Sequence, residues 1–382
     1  MRTNRVRATH SRATSNHLLR TAVLVGCAAA VLAACAPSAS QSGGEKTQAP
    51  SAGRPSAGAS AGAPAPTPTL PRSFITNTTR LEAGGCPIFP QDHAFRASIG
   101  GLSVKSGSAA TIAAIGPSTN VIAGFSSSVW MGSRLGLPIN YVDSRTAPKQ
   151  DVVVSQAYAH QSTTDDVPWP DAPRFEGWPG RAWDKHLLIV DVATCTSWEL
   201  INVQPPGENL IASILYPGRW YADKVVQLDL RSNSIPPLGT VTASGLSMLA
   251  GLVRYDEVAA GLIDHALTIG LPTISSSPSI WPAYGSDGNS NDPAAPPMGS
   301  WLRLRADVDL SGLGPQARVV AQALKDHGAV LVDTSSKAAI GGEPDVRWND
   351  TDLGTLSQLT ISQFEIVDAT PMKVADGSYQ IR

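Results

Sequence analysis

Leu187-Leu188-Ile189-Val190-Asp191-Val192 and Ser197-Trp198-Glu199-Leu200-Ile201-Asn202-Val203 are two β-rich runs separated by a four-residue turn that contains Cys195. Apolar runs this short, bounded by turn residues and rich in β-branched side chains, read as strands, and their spacing makes them a hairpin. Outward from the hairpin, Val152 to Ala157, Val225 to Leu230, Trp301 to Leu310 and Ala329 to Asp333 read as further strands. Within them Trp301-Leu302-Arg303-Leu304-Arg305 alternates most clearly, with an apolar and a basic face. Helices are fewer. Ser108 to Ile115 is short, and Pro315 to Asp326 has Pro315 near its first position, Val319, Val320, Ala323 and Leu324 on one face, and Gly328 past its end. The expected fold is mainly β: a β-sandwich-like domain with long loops and a few peripheral helices, with α+β as the alternative.

The N-terminus has a different character. Arg2, Arg5, Arg7, Arg12 and Arg20 precede an apolar run, Thr21 to Ala34, that ends in small residues. At about fourteen residues this run falls short of the roughly 20 needed to span a bilayer, so it reads as a signal peptide, residues 1–34. Leu32-Ala33-Ala34-Cys35 resembles the lipobox of bacterial lipoproteins. The resemblance implies a diacylated Cys35 as first residue of the mature chain, held by its lipid at the extracytoplasmic face of the cell membrane. Two or three acyl chains resist desorption where one does not. An ordinary secretory signal with Cys35 as a spare thiol is the alternative. Residues 35–72 are almost entirely Ser, Ala, Gly, Pro, Thr and Gln, a composition that builds no core and reads as a disordered tether. Residues 73–382 read as a single extracytoplasmic domain containing all nine tryptophans.

Losing the signal takes five arginines from 29 basic residues, leaving 24 against 31 acids and a formal charge near −7. That balance argues against nucleic acid as a partner and against a polybasic grip on lipid headgroups. Of four cysteines, Cys27 leaves with the signal and Cys35 carries lipid, so Cys86 and Cys195 remain. Two thiols in an oxidising compartment read as one disulfide, with two free buried thiols as the alternative.

Chemistry is less legible. If Leu252 to Leu267 is one helix, Glu257, Gly261 and His265 fall at i, i+4 and i+8 beside Asp264, an arrangement suited to acid/base catalysis. The competing reading is a polar helix edge with local ion pairs. Trp169, Trp178 and Trp281 lie in proline-bracketed loops, with Glu176 beside Trp178 and Tyr284 close to Trp281. Rigid aromatic faces next to carboxylates suit sugar rings, while core packing explains tryptophans equally well. Gly285-Ser286-Asp287-Gly288-Asn289-Ser290-Asn291-Asp292 looks superficially like a calcium loop, but Met298 stands where the closing glutamate belongs, so a surface turn is expected and no metal. Asp184-Lys185-His186 before a strand, and Asp345 to Asp350, where Arg347 is expected to stack on Trp348, are weaker features. No nucleophile elbow, zinc motif, P-loop or dinucleotide fingerprint is present, and no cofactor is expected.

Several strings resemble a family of secreted actinobacterial and fungal proteins: Cys86-Pro87-Ile88-Phe89-Pro90, Lys185-His186-Leu187-Leu188-Ile189-Val190-Asp191, Gly251-Leu252-Val253-Arg254-Tyr255-Asp256-Glu257, Trp281-Pro282-Ala283 and Asp345-Val346-Arg347-Trp348-Asn349. The resemblance implies one integral domain and residence outside the cytoplasm, and supplies no mechanism. Leu262 and Asp92-His93-Ala94-Phe95 depart from its pattern. The resulting expectation is a membrane-anchored lipoprotein that binds or processes a glycan, with Glu257, Asp264 and His265 as acid/base residues and Trp281, Tyr284, Glu176 and Trp178 as contacts. A non-catalytic binding or scaffold lipoprotein is the alternative, and the oligomeric state is open.

Overall fold

The strand Leu187–Asp191 is buried along its whole length, and its alternate residues enter two different apolar clusters. Leu188 and Val190 join the main core, while Leu187 and Ile189 meet Trp169, Phe175 and Trp198 on the other side. A strand covered on both faces carries a continuous apolar run in place of an alternating one, which is why Leu-Leu-Ile-Val stands here.

The computed structural model describes Phe74 and residues 81–382, all within one compact unit. The expected signal peptide 1–34, the expected lipid-bearing Cys35 and the expected tether 35–72 lie outside the described residues. The fold is mainly β with few helices, as expected. The principal strands are β1 (Val121–Ala123), β2 (Ile139–Val142), β3 (Leu187–Asp191), β4 (Thr196–Ile201), β5 (Lys224–Asp229), β6 (Leu267–Leu271), β7 (Trp301–Leu304), β8 (Ala329–Thr334), β9 (Ala338–Ile340) and β10 (Phe364–Val367). They form a four-stranded sheet of order β5-β4-β3-β2 and a six-stranded sheet of order β10-β7-β8-β6-β9-β1. Both are mixed: β2/β3, β6/β8 and β9/β1 pair parallel, and the other neighbours antiparallel.

The β3–β4 hairpin pairs Leu187 with Leu200 and Asp191 with Thr196. Its turn closes through the Cys195 N–H to the Asp191 carbonyl at 2.9 Å, with Cys195 at a φ of 54°. Asp191 fixes the same turn from below by accepting the Ser144 and Ala193 amides at 2.9 and 3.1 Å. Cys195 is joined to Cys86, so the disulfide read from the sequence is present and ties the chain's first described segment to the hairpin tip.

The helices include α1 (Ser108–Ile115), α2 (Leu210–Leu215), α3 (Tyr255–Ala259) and α4 (Pro315–Asp326). α1 and α4 have the predicted bounds. α4 buries Ala317, Val320, Ala321, Ala323 and Leu324 against the six-stranded sheet, while Val319 is only partly covered. Its N-terminal amides are capped from another segment: Asp352 accepts Gln316 N–H at 3.0 Å and Ala317 N–H at 2.9 Å. The strand from Trp301 ends at Leu304, short of the predicted Leu310, and its basic face is not a solvent face. Arg303 is drawn into an ion pair with Glu365 at 2.6 Å and donates to the carbonyls of Ile99 and Leu102.

One irregularity positions the site. β6 and β8 run in register to Ile269 and Leu331, then slip, so that Gly270 faces Asp333 and Val332 is skipped. A bulge of this kind re-aims the side chains beyond it. Gly270 permits the crowding: a Cβ there would sit 2.9 Å from the Ser335 side chain.

The disulfide closes a sequence separation of 109 residues. Replacing Cys86 and Cys195 together with serine is expected to cost about 4–5 kcal/mol by loop entropy, measured by denaturant unfolding under non-reducing conditions. A loss below about 1 kcal/mol would contradict that expectation.

Candidate functional site

The stretch expected as one long helix is not one. α3 covers only Tyr255–Ala259, because Gly261 turns the chain at a φ of 81° and Leu267 already begins a core strand. Glu257 and His265 still meet, by return of the chain and not by helical spacing. The His265 Nε2 lies 3.3 Å from Glu257, whose two oxygens also take Arg254 Nε at 3.1 Å and Nη2 at 2.7 Å. Burial alone would raise the Glu257 pKa, but His265 and Arg254 outweigh it and hold the carboxyl down at about 2. His265 is 1% exposed and its Nδ1 is bonded to the Ala266 carbonyl at 2.8 Å. Asp264 turns elsewhere, to His327 Nε2 at 3.5 Å, while its carbonyl takes Arg96 Nη1 at 3.2 Å. Glu257, Asp264 and His265 do not line the three principal cavities among the described residues. This group is a closed set of ion pairs that locks α3 to its return strand.

The expected aromatic contacts divide. Trp281 is half-buried and donates its indole N–H to Ser378 O at 3.0 Å, and Tyr284 packs edge-on against Tyr379 at 5.7 Å. Trp178 lies beneath the guanidinium groups of Arg134 and Arg174 at 5.1 and 5.9 Å. Arg347 stacks on Tyr255 at 4.0 Å, not on Trp348, which is buried against Phe125. Glu176 alone of the predicted site residues opens onto a large cavity.

That cavity is a cleft of about 710 Å³ between strand ends of the two sheets. Its floor comes from the start of β3 and β5, the end of β4, and the carboxyl ends of the parallel pair β6/β8, a common place for ligands in sheets with parallel strands. The alternation of β6 explains its wall: Leu267, Ile269 and Leu271 enter the core, and Thr268 and Gly270 face the cleft. Titratable side chains converge here from five segments. His186 Nδ1 meets Glu176 Oε2 at 2.9 Å; burial would lower the imidazole's pKa, but Glu176, with Asp184 and Asp333, raises it. Asp333, just beyond the β-bulge, accepts the Thr334 amide at 2.7 Å, and the Thr334 hydroxyl reaches Asp287 at 3.4 Å.

Asp333 is open to the cleft's solvent, but the concave wall takes away part of its hydration. That desolvation, with the charges of Asp287 and Asp184, pushes its carboxyl up to about 6 against the lowering pull of the Thr334 amide and His186. Lys224 is 7% exposed at the cleft edge, its amine donating to Gln161 Oε1 at 3.2 Å, and burial lowers its pKa. Behind the wall, Glu199 accepts the Ser247 hydroxyl at 2.5 Å and the Met248 amide at 3.1 Å, and burial pushes it up to about 7. Tyr158 and Trp183 are the aromatic side chains in the lining.

Sequence reasoning missed Asp333, Lys224 and Trp183 as site residues. It noticed Asp287 only in a calcium-like loop, and Asp184 and His186 only as an isolated triplet. Among the described residues no cluster of His, Cys, Asp and Glu is arranged to hold a metal ion. No family model, curated protein or solved structure matches the chain.

The closed cluster has a stability signature. Glu257→Gln leaves the largely buried Arg254 without its counter-charge and is expected to cost about 3 kcal/mol at pH 7 by denaturant unfolding. Because Glu257 titrates near 2 when folded and near 4.5 as a free side chain, its contribution is complete above 4.5 and is lost as pH falls towards 2. The gap between wild type and variant should therefore close with acidification, and a gap that widens would contradict the pairing.

Proposed function

We propose that the cleft binds a hydroxyl-rich glycan and that Asp333 and Asp287 are its acid/base pair. What supports this reading is the convergence of Asp333, Asp287, Asp184 and Glu176 on one cleft, with Asp333 accepting the Thr334 amide at 2.7 Å and the Thr334 hydroxyl 3.4 Å from Asp287. Glycoside cleavage needs a carboxylic acid to protonate the departing oxygen and a second carboxylate to remain ionised. Asp333, pushed up by desolvation and the neighbouring acids, is assigned the first role, and Asp287, reached through Thr334, the second. Asp184, the Glu176–His186 pair and Lys224 offer acceptors and donors for sugar hydroxyls, and Trp183 or Tyr158 offers a ring face. The acid/base assignment thus passes from Glu257, Asp264 and His265 to the cleft.

A non-catalytic glycan-binding reading has one observation in its favour: Asp184, Asp287 and Asp333 all face open solvent, so the cleft as it stands does not exclude water. We further propose that lipid on Cys35 tethers the domain to the extracytoplasmic face of the membrane, on the strength of the lipobox.

Two experiments test these readings. A glycan-array and hydrolysis screen is expected to yield turnover that falls as pH rises through about 6, where Asp333 loses its proton, and that drops at least 100-fold in Asp333→Asn. Binding without turnover in either protein would favour the non-catalytic reading, and no glycan bound would remove both. Labelled palmitate should enter the wild-type chain and not Cys35→Ser, which should appear in the medium; equal labelling would refute the anchor.

A further inference from the structure

A second cavity of about 340 Å³ adjoins the cleft, and its lining is apolar: Val121, Ile122, Phe125 and Leu353 at its base and Trp130 at its rim. Its serine and aspartate atoms are largely turned to the backbone. Asp350 accepts the Ser127 and Ser128 amides, both at 2.8 Å, and the Ser126 hydroxyl donates to the Ser128 carbonyl at 3.1 Å. The groove therefore offers a ligand little beyond apolar contact. Leu135 and Trp183 line both cavities, so groove and acidic cleft share a wall.

The shared wall is also unusually apolar for a free surface. Trp130 is 74% exposed, Trp183 48% and Leu135 42%, and Met131 stands beside them at the tip of the loop closed by the Trp130/Ser133 bridge. Contiguous exposed aromatic and aliphatic side chains of this size mark interaction surfaces. The same segment leads to a second exposed apolar element. Arg181 and Lys185, on either side of Trp183, both pair with Glu208, which precedes α2, whose Leu210, Ile211, Ile214 and Leu215 point outward with Ala212 alone buried.

We infer that cleft and groove are one bipartite site for an amphiphile, with a hydroxyl-rich head among the carboxylates and an apolar chain in the groove. The inference rests on the glycan reading of the cleft and adds the class of ligand: a glycan joined to a hydrocarbon tail. The continuity of the two cavities at Leu135 and Trp183 selects this occupant. A separate apolar partner would leave the polar cleft unused, and a free glycan would leave the groove empty.

The test is calorimetric titration of the full chain carrying Cys35→Ser, so that no acyl chain of its own competes, with maltose and with hexyl, octyl and decyl maltoside below their micelle concentrations. Affinity is expected to rise about 4-fold per methylene seated and to level off once the groove is full. Trp130→Ala should flatten that rise, whereas Asp333→Asn should weaken every maltoside and leave the rise in place. Maltose binding that Asp333→Asn weakens, with no dependence on chain length, would overturn the amphiphile and leave the glycan reading standing. Equal binding of a decyl chain on maltose and on an oligo(ethylene glycol) head would overturn both readings, as would no binding at any length.

Discussion

The strand Leu187–Asp191 has no solvent face, and that double burial organises the molecule. One set of its side chains closes the main core while the other holds the tryptophan-rich layer of Trp169, Phe175 and Trp198. Because the strand cannot shift by one residue without exchanging these sets, its register is fixed. Everything attached to its ends is fixed with it. At its start, His186 is delivered to the floor of the cleft against Glu176; at its end, Asp191 and Cys195 shape the turn that the disulfide holds to Cys86.

Glu257 on α3 and Asp333 near the end of β8 are carboxylates in two different settings. Glu257 sits between the Arg254 guanidinium and the His265 imidazole, and the three groups bond to one another away from the cleft. Asp333 sits beside other acids, in a wall that restricts hydration, and is reached by solvent from the cleft. The first arrangement spends its charge on holding α3 in place. The second leaves a carboxyl pushed up to about 6 at a surface open to the cleft.

The features legible in the sequence are those with local causes. The hairpin announced itself through an apolar run on each side of a short turn, α1 and α4 through periodicity and terminal Pro and Gly, and the disulfide through the cysteines left in the domain. The mainly β class follows from these. The Glu257–His265 contact was anticipated by a wrong route: a helix was assumed to run through Gly261, where the backbone instead turns at positive φ. The cleft was illegible for a different reason. Glu176, His186, Lys224, Asp287 and Asp333 come from segments spread over more than a third of the chain, and only the pairing of the sheets brings them together. Trp178 and Trp281 looked like ligand platforms because composition does not reveal that an arginine pair and a carbonyl already occupy them.

Asp333 and Glu257 differ most in the pH at which each takes up a proton. Carboxyl carbon NMR on the protein labelled at Asp and Glu, followed from pH 2.5 to 8, measures this directly. The account predicts that Asp333 titrates with a midpoint near 6 while Glu257 stays ionised almost to the acid limit. An Asp333 midpoint at or below 4, or a Glu257 midpoint above that of Asp333, would contradict it.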